Sequence, residues 1–189
     1  CCPKKRARER LSAIAEVARY RRVSSSADTR RDYLRRLPQE AYRGRAMIHW
    51  TMSVADRGAS WLSPPSHALW REVLLHAAYR HHVAAPIYCL MPDHVHVVLA
   101  GLSSATDQLR ALSFLRRHSA PMLGPAYWQK QAHDHVLRDA ECSSEGFRSV
   151  AHYIGQNPLR AGLVDDAAAW PYAGTVVAGM PTVDWRQED

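Results

Sequence analysis

The chain contains no run of about 18 apolar residues, so no membrane-spanning helix is expected. Its basic N-terminus lacks the apolar core of a secretion signal, and a cytoplasmic setting is expected. It opens on Cys1-Cys2 rather than Met, as a fragment or a shifted reading frame would. Cysteine is sparse. Cys1, Cys2, Cys89 and Cys142 form no CxxC pair, so neither a zinc knuckle nor a redox motif is indicated. Cys89 lies in an apolar run and is expected to be an inert core residue. Internal repeats are absent, as is the HExxH motif of a zinc hydrolase. Acidic residues are scarce at one end. Residues 1–45 hold 14 of the 25 Lys and Arg but 5 of the 18 acids, a net of +9, while the remainder is 11 minus 13, or −2. The overall charge of +7 favours a polyanionic partner. Its distribution places the excess in the N-terminal arm and leaves the rest of the chain to be judged on its motifs.

A chain of 189 residues suits one domain plus an appendage. We expect a basic extension over 1–40, a main domain over 41–175 and a tail over 176–189. Within the extension, 7–22 has helical spacing, and a second short helix is expected over 29–37, stopped by Pro38. Residues 45–55 are rich in strand formers and predict the first strand. Ser66 is placed to cap a helix over 67–82 with Leu69, Val73, Leu74 and Ala77 inward. Pro86 to Gly101 reads as a strand, a bend or tight turn at Pro92-Asp93, and a strand from His94 to Ala100. Alternation in the latter sends Val95, Val97 and Leu99 one way and His94, His96, Val98 and Ala100 the other, so a central strand is expected. Residues 106–118 predict an amphipathic helix with Leu109, Leu112 and Leu115 inward, 127–138 a short hairpin or two short strands, and 144–156 a helix capped by Ser143 or Ser144. Pro158 ends or kinks it. Residues 161–185 are expected to be irregular, with Trp170 and Tyr172 packed back on the core.

Three groups of residues carry chemistry. His94 and His96, two apart on a strand, present both imidazoles on one face within reach of one cation; the same spacing also serves two polar core residues. Tyr153 and Asn157, four apart at a helix end, share a face and offer a phenol and an amide oxygen; a half-buried helix tyrosine with a capping asparagine would look alike. Arg110, Arg116, Arg117, Gln129, Lys130, His133, His135 and Arg138, with Tyr127 and Trp128 among them, suit single-stranded nucleic acid or an ordinary solvated surface.

Taken in order, MPDHVH (91–96), YWQ…HDHVLR (127–138) and YIGQNPLRAGLV (153–164) resemble the single-tyrosine HUH transposases, REP-associated branch, over about 42–172. The resemblance implies an α+β fold, a ferredoxin-like antiparallel sheet flanked by helices. It implies a nuclease and strand transferase for single-stranded DNA, with Tyr153 as nucleophile through a 5′-phosphotyrosine link. His94, His96 and Asn157 would hold a divalent ion, Mg²⁺ or Mn²⁺. The DNA partner is expected to form hairpins of REP-palindrome type, with Arg110, Arg116, Arg117, Lys130 and Arg138 as DNA contacts, in a monomer or homodimer. Asp93 departs from the family pattern, which has Asn there, and adds charge beside the first histidine. A domesticated hairpin-binding protein without catalysis is the alternative. A rolling-circle initiator shares the chemistry but usually carries more domains.

Overall fold

The computed structural model describes residues 36–55 and 61–177. The helix expected over 7–22, all but the last two residues of the one expected over 29–37, and most of the 176–189 tail lie outside the described residues, and residues 36 and 37 are not helical. Five strands form one antiparallel sheet: β1 (Met47–Ser53), β2 (Val83–Met91), β3 (His94–Gly101), β4 (His133–Val136) and β5 (Ala173–Val176), in the order β4-β1-β3-β2-β5. Helix α1 (Pro64–His81) connects β1 to β2, and α2 (Gln108–Ser119) connects β3 toward β4. The order β4-β1-β3-β2 with these two connections is the ferredoxin-like βαββαβ plan, extended at the β2 edge by β5. The expected fold class therefore holds. Three further helical segments, α3 (Asp139–Cys142), α4 (Ser144–Gly155) and α5 (Asn157–Arg160), lead to β5.

Alternation divides the sheet into two faces. Ile48, Trp50, Met52, Val95, Val97 and Leu99 pack beneath Trp70, Val73, Leu74 and Ala77 of α1 and Ala111, Leu112 and Leu115 of α2. On the other face Ile87, Cys89, Met91 and Val98 meet Ala151 and Ile154 of α4 together with Trp170 and Ala173. Trp170 donates its indole N–H to the Leu90 carbonyl at 3.0 Å, packing back on the core as expected.

Several expectations are corrected at element ends. Helix α1 starts at Pro64 and its cap is Ser63, whose Oγ accepts from the Ser66 N–H while the Ser63 N–H donates to Ser66 Oγ. The two prolines at its first positions, where an N–H has no intrahelical partner, explain the earlier start. Helix α2 starts at Gln108 behind Asp107, whose carboxylate accepts from Leu109 and Arg110. Residues 127–138 make no hairpin. Trp128 bridges to Val54 and β4 pairs with β1, so both pieces align on the edge of β1 instead of on each other. Part of the segment expected to be irregular forms β5.

Candidate active site

The turn that carries the first motif is fixed on three sides. Met91 pairs with His94 across the two-residue turn Pro92-Asp93. The Asp93 carbonyl accepts from Val54 N–H at 2.9 Å. The Pro92 carbonyl accepts from the buried Trp61 indole at 2.7 Å. His94 and His96 then rise on the central strand β3, on the face covered in part by α4.

Their geometry is defined atom by atom. His94 Nδ1 lies 2.6 Å from Asp93 Oδ1, and His96 Nδ1 lies 3.0 Å from His49 Nε2 and 3.2 Å from Thr51 Oγ1. The two remaining ring nitrogens, His94 Nε2 and His96 Nε2, face each other at 2.9 Å. Two ligands at right angles on an ion with bonds of about 2.1 Å stand about 3 Å apart, so this separation matches adjacent positions of an octahedral shell. Burial, with His94, His49 and Arg160 nearby and Asp93 opposing, pushes His96 down to about 3. Burial, then the neighbouring His135, His133 and His94, pushes His49 down to about 4. Both rings are neutral at physiological pH and keep a lone pair for a cation or a donor.

The cross-strand register extends the cluster. Ser53, Thr51 and His49 of β1 lie opposite His94, His96 and Val98, while Thr51 and His49 also lie opposite His133 and His135 of β4. Directly opposed residues share a face, so five of the eleven histidines line one side of the sheet. His133 and His135 are exposed at its edge, where His135 Nε2 meets Glu141 Oε1 at 2.9 Å. Among the described residues no group of three or more His, Cys, Asp or Glu side chains stands in metal-holding geometry. The second motif carries Tyr153 and Asn157.

That motif reaches the same face. Ala151 and Ile154 of α4 bury against Cys89, Met91 and Val98, leaving Tyr153 at the rim, 53% exposed. Helix α4 ends at Gly155, and a new turn, α5, opens at Asn157-Pro158. Pro158 thus restarts the helix as well as ending it, because proline is tolerated in a first turn. The Asn157 amide donates to the carbonyls of Tyr153 and Ile154 at 3.3 and 3.1 Å, which anchors its nitrogen end. The Arg160 guanidinium stacks over the Tyr153 ring at 4.1 Å, donates to the Tyr153 carbonyl, and adds its charge to the field at His96.

The basic residues lie elsewhere. Arg110, Arg116 and Arg117 sit on α2, the layer covering the face opposite the histidines. Arg110 and Arg117 are exposed, but the Arg116 guanidinium donates to the Gln129 and Lys130 carbonyls and ties down that loop. Lys130 and Arg138 precede and follow β4. Sequence reasoning missed His49, Thr51 and Arg160, and it saw in Asp93 an added charge but not the partner of His94. The alternation His49-Trp50-Thr51-Met52-Ser53 signals a polar face, but only the β1–β3 register shows what it meets.

A REP-associated tyrosine transposase bound to a REP hairpin superposes with a TM-score of 0.62 at 18% identity, covering 75% of this chain and 81% of that one. The chain has the fold of a REP-associated tyrosine transposase. A bacterial tRNA(His) guanylyltransferase-like protein in complex with GTP reaches a TM-score of 0.44 at 11% identity, covering 78% of this chain and 88% of that one. No protein-family model and no curated protein matches the chain. Among the described residues no helix is long and apolar enough to cross a membrane.

Proposed function

We propose that this protein is a metal-dependent nicking and joining enzyme for hairpin-forming single-stranded DNA, a transposase working beside the nucleoid in the cytoplasm. The observation that carries this reading is the pair of facing Nε2 atoms, 2.9 Å apart, on the sheet face that the Tyr153-bearing helix covers. His94, His96 and the Asn157 side-chain oxygen would hold the ion. Asp93 and His49 engage the two Nδ1 atoms, where each can accept a ring hydrogen when both Nε2 atoms face the ion. A bound Mg²⁺ or Mn²⁺ would neutralise charge on the scissile phosphate. The near-right-angle separation supports such an octahedral ion over tetrahedral zinc, for which the nitrogens would stand farther apart.

Tyr153 is the nucleophile in this scheme. Its phenolic oxygen forms a bond to phosphorus as the bond from phosphorus to the 3′ oxygen breaks. The phenol gives up its proton and the departing 3′ oxygen takes one, leaving a 5′-phosphotyrosine and a free 3′-hydroxyl. A 3′-hydroxyl attacking the phosphotyrosine reverses the exchange and joins a strand, so energy stored in the ester is conserved. Tyr153 is exposed enough for DNA to reach it, and the Arg160 guanidinium lies over its ring.

Arg110, Arg117, Lys130 and Arg138 are assigned to phosphate contacts, which hold a strand without reading its sequence. Because α2 covers the other face, DNA that touches both Arg117 and Tyr153 has to pass from one face of the sheet to the other. Arg116 is withdrawn from this set, since its guanidinium is engaged by backbone carbonyls.

The test is a denaturing gel of the protein with labelled hairpin DNA from the sequence flanking its own gene, with Mn²⁺, beside Tyr153→Phe. A covalent protein–DNA band is expected from the native protein alone, with hairpin binding preserved in the variant. Nicking by Tyr153→Phe would remove the nucleophile assignment. Binding with no band from either would turn the reading to a non-catalytic hairpin-binding protein.

A further inference from the structure

The proposed ion needs both Nε2 lone pairs at once, and a neutral imidazole has only one nitrogen free of hydrogen. On the His94 side the demand is met simply: the Asp93 carboxylate can only accept, so at 2.6 Å it draws the ring hydrogen to Nδ1 and leaves Nε2 bare. His96 has no carboxylate. Its Nδ1 faces a threonine hydroxyl at 3.2 Å, which can donate or accept and so selects nothing, and His49 Nε2 at 3.0 Å.

The 2.9 Å approach of the two Nε2 atoms sharpens the point. Two bare nitrogens repel at that distance, so without an ion one of them carries a hydrogen and donates to the other. Since Asp93 leaves His94 Nε2 bare, the donor is His96. Its Nδ1 is then bare and accepts from His49 Nε2–H. With an ion between the Nε2 atoms the order inverts: the His96 hydrogen moves to Nδ1, and His49 must present a bare Nε2 to accept it. The chain Asp93–His94–His96–His49 is continuous, each link between 2.6 and 3.0 Å.

We infer that His49 is a positioning residue for the metal site: by accepting the Nδ1 hydrogen of His96 it holds that ring in the orientation and tautomer that expose Nε2 to the ion. The inference rests on the metal-holding role proposed above for His94 and His96. His49 stays on the far side of His96 from the facing Nε2 atoms, on β1, held by its pairing with Val98 and His135. Its ring nitrogen meets His96 Nδ1, the nitrogen turned away from the expected ion. The neighbours facing it are His96, His133, His135 and His94.

Two measurements decide it. The first is Mn²⁺ affinity of the full chain by electron paramagnetic resonance, for native protein, His96→Ala, His49→Phe and His49→Gln. We expect His96→Ala to abolish tight binding, His49→Phe to weaken it about tenfold or more, and His49→Gln, whose amide oxygen accepts the same hydrogen, to stay within about threefold of native. Native affinity in His49→Phe overturns the inference and leaves the metal site standing. Unchanged affinity in His96→Ala overturns the metal reading itself, and this inference with it. The second measurement needs no variant: ¹⁵N spectra of the imidazoles in native protein loaded with Mg²⁺. Hydrogen on His96 Nδ1 and on His49 Nδ1 is the expected pattern. Hydrogen on His49 Nε2 in the loaded protein overturns the inference.

Discussion

At the scale of single residues, the site is read from donors and acceptors. The pairs His94/His96 and Tyr153/Asn157 were legible as side chains sharing a face, since the strand period and the helix turn need no tertiary information, but their expected roles came from the family resemblance. His49 was not legible, since its role depends on β1 lying beside β3 in one particular register, which a shift of one residue would reverse. Asp93 was legible as a charge but not as an acceptor aimed at Nδ1. Its carboxylate at 2.6 Å makes a charge-assisted bond, roughly twice as strong as the neutral bond an asparagine oxygen would make. Asp93→Asn should therefore weaken Mn²⁺ binding by about tenfold or less while leaving DNA nicking at saturating metal intact. Calorimetric titration with Mn²⁺ measures it, and an affinity equal to native would show that Asp93 contributes nothing to the site.

At the scale of elements, the weak member is β4. It has four residues, pairs only with β1, and carries the exposed His133 and His135. What secures it is on the other face. Asp134 accepts from the Tyr42 hydroxyl at 2.7 Å and from the Arg36 guanidinium, which also donates to the Ala132 carbonyl at 3.0 Å and lies 5.3 Å over the Trp50 ring. Tyr42 in turn accepts from the Leu37 N–H at 3.0 Å. Residues 36–42 thus clamp the sheet edge, although the sequence assigned 36–40 to the extension. The choice between a hairpin and two short strands over 127–138 stayed open for the same reason: local strand propensity cannot tell whether two segments pair with each other or with a third. Removing the shared acceptor takes away the ion-pair partner of Arg36 and the only acceptor described for the buried Tyr42 hydroxyl hydrogen, so Asp134→Ala should cost about 2 kcal/mol. Urea unfolding gives that cost, and amide exchange at 133–136 should quicken more than at β3. Equal acceleration in both strands would mean that the clamp secures the whole sheet instead of its edge.

At the scale of the molecule, the sheet separates two environments. One face is an apolar core beneath α1 and α2. The other is apolar only under α4, and toward β1 and β4 it becomes a field of imidazoles. The βαββαβ plan was legible through its resemblance to a known family, but the division of the second face was not, because it arises where β5 and α4 stop. This arrangement makes stability depend on pH. His96 titrates near 6.5 when unfolded and is pushed to about 3 in the fold, and His49 to about 4. Because both folded values are depressed, the unfolded chain binds more protons below pH 6.5. Stability is then full above that value and falls as the pH drops toward the folded values. At pH 5 the loss from His96 is about 2 kcal/mol, with His49 adding to it by a similar mechanism. Urea midpoints of the metal-free protein in chelator should therefore fall between pH 7.5 and 5, and fall less in the His49→Phe/His96→Phe variant, where neither ring remains to titrate. Parallel slopes in the two proteins would place the pH dependence in other groups and contradict the burial of these two imidazoles as neutral rings. Adding Mn²⁺ to the native protein should raise the midpoints at pH 6 to 7 without flattening the slope, because an ion on Nε2 stabilises only the folded form with unprotonated ligands, and that gain should vanish in the double variant.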